Sequence, residues 1–392
     1  MARTKLSGAN WFWIVLIHSG LIQAGVYVVR PMASYQAINF GAEAALIGVV
    51  GSAFAIAPLI FAIPLARFVD RGFAGTALFL GPIVALIATI GFVFSQSVWG
   101  LLAWMPLLGI GHLLAMVGGQ TLIAQKSPDP KYERNFGLLT FYASLGHAVG
   151  PFIGGLLADA SGPEIEVVPA LWFAIILFVL AALSAAVLAK PQTLPSRAIK
   201  QAGSFRRVIS TQGYKPAIFV AGASTAVVDV MLIFLPVIGL ALGFTPAEIG
   251  ILLALRALAS MGVRIFLGRL TQLIGMRRIL LWGLNATLLG CVGLGFASNY
   301  LTIAILVFIT GFAMGIAQPF TMAWVSRIAP KDAKGMAISV RLTSNRLGQV
   351  AIPALAGLIA AGTLSGVFYL MAVLMGLAAV TTNKALPKPS KS

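Results

Sequence analysis

The chain has 392 residues, 59% of them apolar and 9% charged, with a formal net charge of +17. A soluble domain carries about 25% charged residues, so this composition excludes a soluble enzyme and leaves no polar stretch long enough for a catalytic domain outside a membrane. Nor does the positive balance point to nucleic acid, because the basic residues sit in short gaps between apolar runs and do not gather on one polar face.

Apolar runs of the length that crosses a bilayer, about 20 residues, fall at 10–37, 45–66, 74–95, 98–124, 135–158 and 167–189. Six more follow at 216–241, 247–267, 278–297, 300–325, 335–360 and 363–383. Lipid leaves the backbone only helices or closed barrels. No run alternates as a barrel strand would, so the chain is predicted as an all-α polytopic membrane protein of twelve transmembrane helices. All but four of the Lys and Arg residues then fall on one side: Arg3 and Lys5, Arg67 and Arg71 in the 2–3 gap, Lys126, Lys131 and Arg134 in the 4–5 gap, six between Lys190 and Lys215, and Arg264, Arg269, Arg277 and Arg278 in the 8–9 region, with the rest in the 10–11 gap and the C-terminus. The opposite gaps hold only Glu43, Asp159, Glu164, Glu166 and Glu248. Both termini are therefore expected in the cytoplasm, in a multi-pass protein of the inner membrane. The first run follows Arg3 and Lys5 without a small-residue cleavage site, so it reads as a retained helix. Cys291 is the single cysteine, which excludes a disulfide framework or a Cys-based metal site within one chain.

The halves of the sequence repeat with a constant offset of 202 residues. Leu145-Gly146, Pro151, Gly155, Leu156 and Ala158 return as Leu347-Gly348, Pro353, Gly357, Leu358 and Ala360. Arg67, Gly109, Pro128 and Ile47-Gly48 match Arg269, Gly311, Pro330 and Ile249-Gly250. The expected organisation is an N-terminal six-helix bundle over 1–189, a basic cytoplasmic linker over 190–215 and a C-terminal six-helix bundle over 216–392. A parallel repeat of this kind is a transporter architecture, with substrate held between the halves near the midplane.

Two segments carry a more specific signal. The fifth span reads Gly146-x-x-x-Gly150-Pro151-x-x-Gly154-Gly155, a glycine stripe that lets a neighbouring helix approach closely, with a proline that kinks it. The 2–3 gap reads Ala66-Arg67-Phe68-Val69-Asp70-Arg71, and the 8–9 gap keeps Gly268, Gly275 and Arg277 with Gln272 between them. On these motifs the chain resembles the major facilitator superfamily over its whole length. The resemblance implies two pseudo-symmetric six-helix bundles that alternate access to a central site. It matches that family's antiporter motif in the fifth span, which implies relatives that export drugs in exchange for protons. The Asp70–Arg71 pair of the loop motif is kept, while its first glycine and basic tail are lost. The antiporter branch also places an arginine in the fourth span, four residues before a Gly-x-Gly; here Gly109-Ile110-Gly111 follows Met105. By this resemblance Asp70, Arg71 and Gly268 latch the bundles on the cytoplasmic side, and Gly146, Gly150, Pro151, Gly154 and Gly155 let the fifth helix slide.

The four remaining arginines, Arg30, Arg256, Arg341 and Arg346, fall inside predicted spans. Each costs about 2.5–3.5 kcal/mol on insertion scales, so each reads as a functional candidate. Arg30 and Arg256 lie at similar depth in opposite halves, where two guanidiniums would suit a carboxylate, phosphate or other oxyanion; pairing with backbone carbonyls or with Asp229 is the rival role. Arg341, Asn345, Gly348 and Gln349 share one face of the eleventh span, and Arg346 lies about 140° round the helix from Arg341, so the two arginines are expected to do different work. Asp229, at the repeat position of Tyr27, is the only acidic residue placed within a span. It is the expected proton-coupling group, or else a fixed counter-ion. Tyr27 and Gln120, with Gln23, Gln318 and Trp324, are candidate cavity residues. His18, His112 and His147 are spaced as packing or hydrogen-bonding groups and make a poor metal site. No phosphate-binding loop occurs, so ATP drive, cofactors and metals are not expected.

The expected function is secondary active transport of a small organic anion by a monomer, moved in exchange with protons and with export as direction. Broad-specificity drug/proton antiport and lysolipid flipping are the alternatives.

Overall fold

The structure, a computed structural model, describes residues 10–128, 131–158, 164–189, 205–330 and 333–386. Nearly all of these are helical: α1 Asn10–Asn39, α2 Ala44–Phe68, α3 Ala74–Val93, α4 Val98–Lys126, α5 Tyr132–Leu157, α6 Val168–Ala186, α7 Phe205–Ile209, α8 Tyr214–Ala241, α9 Pro246–Ile274, α10 Met276–Phe296, α11 Tyr300–Ile328, α12 Lys334–Ala360 and α13 Gly366–Ala385. Each of the twelve predicted spans is a long helix, and α7 is a short addition within the linker segment. Ten stretches are long and apolar enough to cross a membrane, with Ala44–Val93 counted as one; α12, which carries Arg341 and Arg346, is not among them. Arg3, Lys5, Asp159 and residues 190–204 of the predicted linker lie outside the described residues.

The helices form for reasons visible in the chain. Thr245 caps α9 by accepting from the Glu248 backbone, while the Glu248 carboxylate accepts from the Thr245 N–H at 2.9 Å, a reciprocal capping box ahead of Pro246. Asn299 caps α11 in the same way, its Oδ1 accepting from the Thr302 N–H at 2.9 Å. Prolines that would break an isolated helix sit inside α2, α5 and α12, where neighbouring helices can satisfy the freed backbone groups.

Two predicted boundaries are corrected. The 2–3 gap is shorter than predicted: helical backbone continues past Phe68 to Arg71 and breaks at Gly72, with φ +100°, before α3 begins at Ala74. Only glycine takes that backbone conformation without steric cost. The eighth span, expected to end at 267, continues as α9 to Ile274, so Arg264, counted with the basic 8–9 region, lies about 15 Å from the helix end and is half-buried.

Contacts gather the chain into two units, Met1–Gly41 with Ile56–Arg197, and Ala42–Ala55 with Ala198–Ser392. In the first, α1 packs against α4, α5 and α6, and α3 against α4 and α6. In the second, α8 packs against α11, α12 and α13, α9 against α11, and α10 against α11 and α13. The first half of α2 belongs to this second unit: a Cβ on Gly48 would lie 2.5 Å from the Pro353 carbonyl oxygen and 2.8 Å from the Gly357 Cα. Lipid tails are as apolar as the side chains, so helices in both units are drawn together through small residues that allow backbone contact. A Cβ on Gly111 of α4 would meet Gly81 O of α3 at 2.6 Å, and one on Gly118 would meet Ala74 O at 2.7 Å.

Candidate functional site

Asp229 sits in the middle of α8 and is 3% exposed. Its surroundings follow from the approach of α12, where a Cβ on Gly348 would stand 2.9 Å from Gly222 O. That closeness sets the next residue, Gln349, directly against α8. The Gln349 Nε2 donates to Asp229 Oδ2 at 2.6 Å. One turn back along α12, Arg346 Nη1 donates to Gln349 Oε1 at 3.0 Å. A guanidinium can only donate and a carboxylate only accept, so the amide has one possible orientation between them. Arg346 is half-buried, which makes it the accessible end of the chain of bonds.

Arg341 enters a separate network. Its side chain is 2% exposed, and its Nη2 donates to Gln318 Oε1 at 2.9 Å, Thr321 Oγ1 at 2.9 Å and Gln318 O at 3.2 Å. Gln318 Nε2 in turn donates to Thr225 Oγ1 of α8. One guanidinium therefore ties α12 to α11 and, through Gln318, to α8. Asn345, 8% exposed, keeps its Oδ1 without a hydrogen bond among the described residues, as does the Arg341 Nε. Arg256 of α9 is buried at 3% exposure.

In the first unit the glycine stripe of α5 lies on α1. A Cβ on Gly146 would meet Gly20 O at 2.5 Å and Ala24 N at 2.7 Å, one on Gly150 would meet the Tyr27 Cβ at 3.1 Å, and one on Gly154 would meet Val28. The rings of Tyr27 and His147 stack at 4.0 Å and 19°. Gln23 Oε1 and His112 Nε2 are 3.0 Å apart, and His18 Nδ1 is 3.0 Å from Ala181 O. Arg30 is buried on α1, one turn beyond Tyr27.

Other predicted residues stand apart from these groups. Gln120 is exposed on α4. Asp70 and Arg71 are exposed just before the break at Gly72, whereas Pro151, Gly154 and Gly155 are buried. Gly268 has open space where a Cβ would go, so packing does not require glycine there. Arg277 holds the end of α13, donating from Nε to Leu386 O at 3.1 Å and from Nη2 to Asn383 Oδ1. A cation is favoured at a helix C-terminus. No cluster of metal-binding side chains occurs among the described residues.

Sequence reasoning placed Gln349 on a helix face and gave it no role, and it missed Thr225 and Thr321. The repeat offset held the signal for the first: His147 and Tyr27 map onto Gln349 and Asp229. Hydroxyls that bond within their own helix leave no pattern, and Thr321 also donates to Ala317 O.

The profile of the Major Facilitator Superfamily matches residues 15–237 and 216–392. A multidrug resistance efflux pump PmrA homolog of Lactococcus lactis is 25% identical over 310 residues, covering 71% of this chain and 69% of its own. Multidrug resistance protein 1 of Bacillus subtilis is 21% identical, covering 94% of both chains. The crystal structure of the nucleoside transporter NupG (D323A mutant) superposes with a TM-score of 0.82 at 13% identity, over 96% of this chain and 100% of that one, a likeness of fold. With twelve long helices, a sequence repeat and a profile match running along nearly the whole chain, this multi-pass membrane protein belongs to the Major Facilitator Superfamily and is a secondary transporter, not an enzyme.

Proposed function

We propose that the chain moves a small organic anion across the inner membrane, as a monomer with both termini in the cytoplasm. The N-terminal bundle (1–189) and the C-terminal bundle (216–392) alternate access, with 190–215 as the linker and export as the direction. The supporting observation is the imbalance of buried charge: Arg30, Arg256 and Arg341 are each 2–3% exposed, and Asp229 is the one carboxylate among the described residues that lies deep within a long helix. Arg offers a fixed fork of donors to an oxyanion, and binding an anion offsets charge that lipid-embedded protein otherwise holds at a cost. In this reading Arg30, Arg256, Arg341 and Arg346 contact the substrate with Tyr27, Asn345 and Gln120. Asp229 carries the coupling proton. Asp70, Arg71 and Gly268 gate the cytoplasmic side, and Gly146, Gly150, Pro151, Gly154 and Gly155 form the sliding surface. The resemblance of the α5 motif would make the proton move in exchange; the polar chain through Gln349 bears on that sign.

A second reading, efflux of lipophilic cations, is favoured by the two multidrug relatives. A thermal-shift screen of purified protein against organic anions, lipophilic cations and lysolipids separates the two, because a ligand of the folded state raises Tm by mass action. Stabilisation by anions that disappears in Arg30→Ala and Arg256→Ala is the expected result. Stabilisation by cations alone, lost in Asp229→Asn, would replace the anion reading with drug efflux, and a response to lysolipids alone would replace it with lipid flipping.

A further inference from the structure

We propose that Gln349 is a positioning residue that joins Arg346 and Asp229 into one relay, through which an anion at Arg346 and a proton at Asp229 bind together and not in exchange. The inference rests on the anion reading for its ligand and on two hydrogen bonds for its geometry: Arg346 Nη1 to Gln349 Oε1 at 3.0 Å and Gln349 Nε2 to Asp229 Oδ2 at 2.6 Å.

The amide turns its oxygen to the cation and its N–H to the carboxylate, so each bond polarises Gln349 in the direction that strengthens the other. An anion arriving at the half-buried guanidinium takes donors from Gln349 and cancels the positive charge that the relay presents to the carboxylate. Asp229 is then a buried negative charge with less compensation, and taking up a proton from solution removes it. Linkage makes the effect mutual: a proton on Asp229 releases the guanidinium for the anion. Among helices packed against α8, the charged groups lying well inside a helix are Arg341 and Arg346 on α12 and Arg256 and Arg264 on α9; those of α7, α11 and α13 lie at or near helix ends. All four are cations, so they favour an anion, and none supplies a second carboxylate to take the proton in place of Asp229.

The repeat supplies an independent argument. Tyr27 and His147, the counterparts of Asp229 and Gln349, meet at the equivalent helix contact by ring stacking at 4.0 Å, a neutral phenol against an imidazole where the second unit has a carboxylate against an amide. The charged chain in the second unit is therefore not what the helix contact requires. Its sign departs from the exchange that the α5 motif implies. Export would then run down the anion's own gradient and carry a proton with it.

The test uses purified full-length protein, with sodium benzoate as the anion probe and Asp229→Asn as a fixed mimic of the protonated carboxyl. The relay predicts benzoate affinity at least about fivefold tighter in Asp229→Asn than in wild type, and a gain cut by more than half when Gln349→Leu is added. Equal or weaker binding in Asp229→Asn overturns the linkage. A ligand-free arm follows the Asp229 carboxylate band in infrared difference spectra against Asp229→Asn. Arg346→Gln shifts that band in the wild-type background and leaves it in place once Gln349→Leu is present; an unchanged shift in both backgrounds overturns the relay. If Gln349→Leu does not fold, Gln349→Asn, too short to reach both partners, takes its place. A wild type that benzoate does not stabilise, with the infrared cycle as expected, overturns the linkage through failure of the anion reading and leaves the relay's geometry standing.

Discussion

Gly146 of α5 lies against Gly20 and Ala24 of α1, and 202 residues later Gly348 of α12 lies against Gly222 of α8. At the following position the two helix pairs diverge: His147 stacks on Tyr27, whereas Gln349 donates to Asp229 and accepts from Arg346. Duplication has preserved the frame of close backbone contact and left the side chain beside it free to change. The arginines show the same freedom, since the counterparts of Arg30 and Arg346 are Leu232 and Ser144. Symmetry therefore accounts for how the helices meet, and asymmetry for where the charge lies. One pair is a packed seam, the other a polar chain with an accessible end.

The largest predicted effect tests the seam. In Gly146→Leu the new side chain would press on Gly20 O and Ala24 N, backbone atoms that cannot rotate away. Overpacking in a tight core costs about 1–3 kcal/mol and sometimes more, and here whole helices must part. The expected outcome is no monodisperse folded protein by size-exclusion chromatography. Gly348→Leu, whose nearest atoms stand at 2.9 Å and beyond, is expected to fold with a lowered Tm. Equal damage in both would break the comparison.

Much of this fold is legible in the sequence. Twelve long apolar runs, an offset of 202 residues and a glycine stripe leave little freedom, because lipid forces each run to be a helix and glycines mark where helices touch. The pairing of Asp229 was not legible. Charge rules point a carboxylate at an arginine, yet the structure inserts a neutral amide between Asp229 and Arg346, a choice that depends on reach across the α8–α12 contact and not on spacing along α12. Arg341 was likewise readable as an intramembrane cation, while its commitment to Gln318 and Thr321 needed the position of α11. The Gly72 bend leaves no mark in the apolar pattern, because helical backbone resumes within two residues of it.

Within the second unit the two arginines of α12 sharpen the contrast between locking and binding. Arg341→Ala removes a guanidinium that satisfies Gln318 and Thr321 together, and stranded buried polar groups cost about 1–3 kcal/mol each. A fall in Tm of several degrees is expected, well beyond that of Arg346→Ala, since Arg346 is half-buried where Arg341 is 2% exposed. Thermal unfolding in one detergent checks both. Asp229→Asn comes next. An asparagine carbonyl still accepts from Gln349, so Tm stays near wild type, while proton flux that accompanies substrate in proteoliposomes falls by about tenfold or more. Tyr27→Phe, at the matching position of α1, weakens substrate binding but leaves the ratio of protons to substrate moved unchanged. A proton flux that survived Asp229→Asn would remove the coupling role from the second pair.

The smallest effect comes from making the first pair resemble the second. His147→Gln gives α5 the residue that α12 carries at the same repeat position, and it forfeits the ring stacked on Tyr27. Stacking of this kind contributes about 0.5–1.5 kcal/mol beyond buried area, so a Tm lowered by a few degrees at most is expected, with Gly146 and Gly150 still seating α5 on α1. Adding Tyr27→Asp would restore a carboxylate–amide pair in the first unit, but Ser144 stands where Arg346 stands in the second. The transplanted carboxylate then lacks a cation at the far end of its amide, Arg30 lying instead one turn along α1 itself, and the double variant is expected to be less stable than His147→Gln alone. A stable double variant would show that the amide by itself can hold a buried carboxylate, and that Arg346 is placed for the ligand and not for the fold.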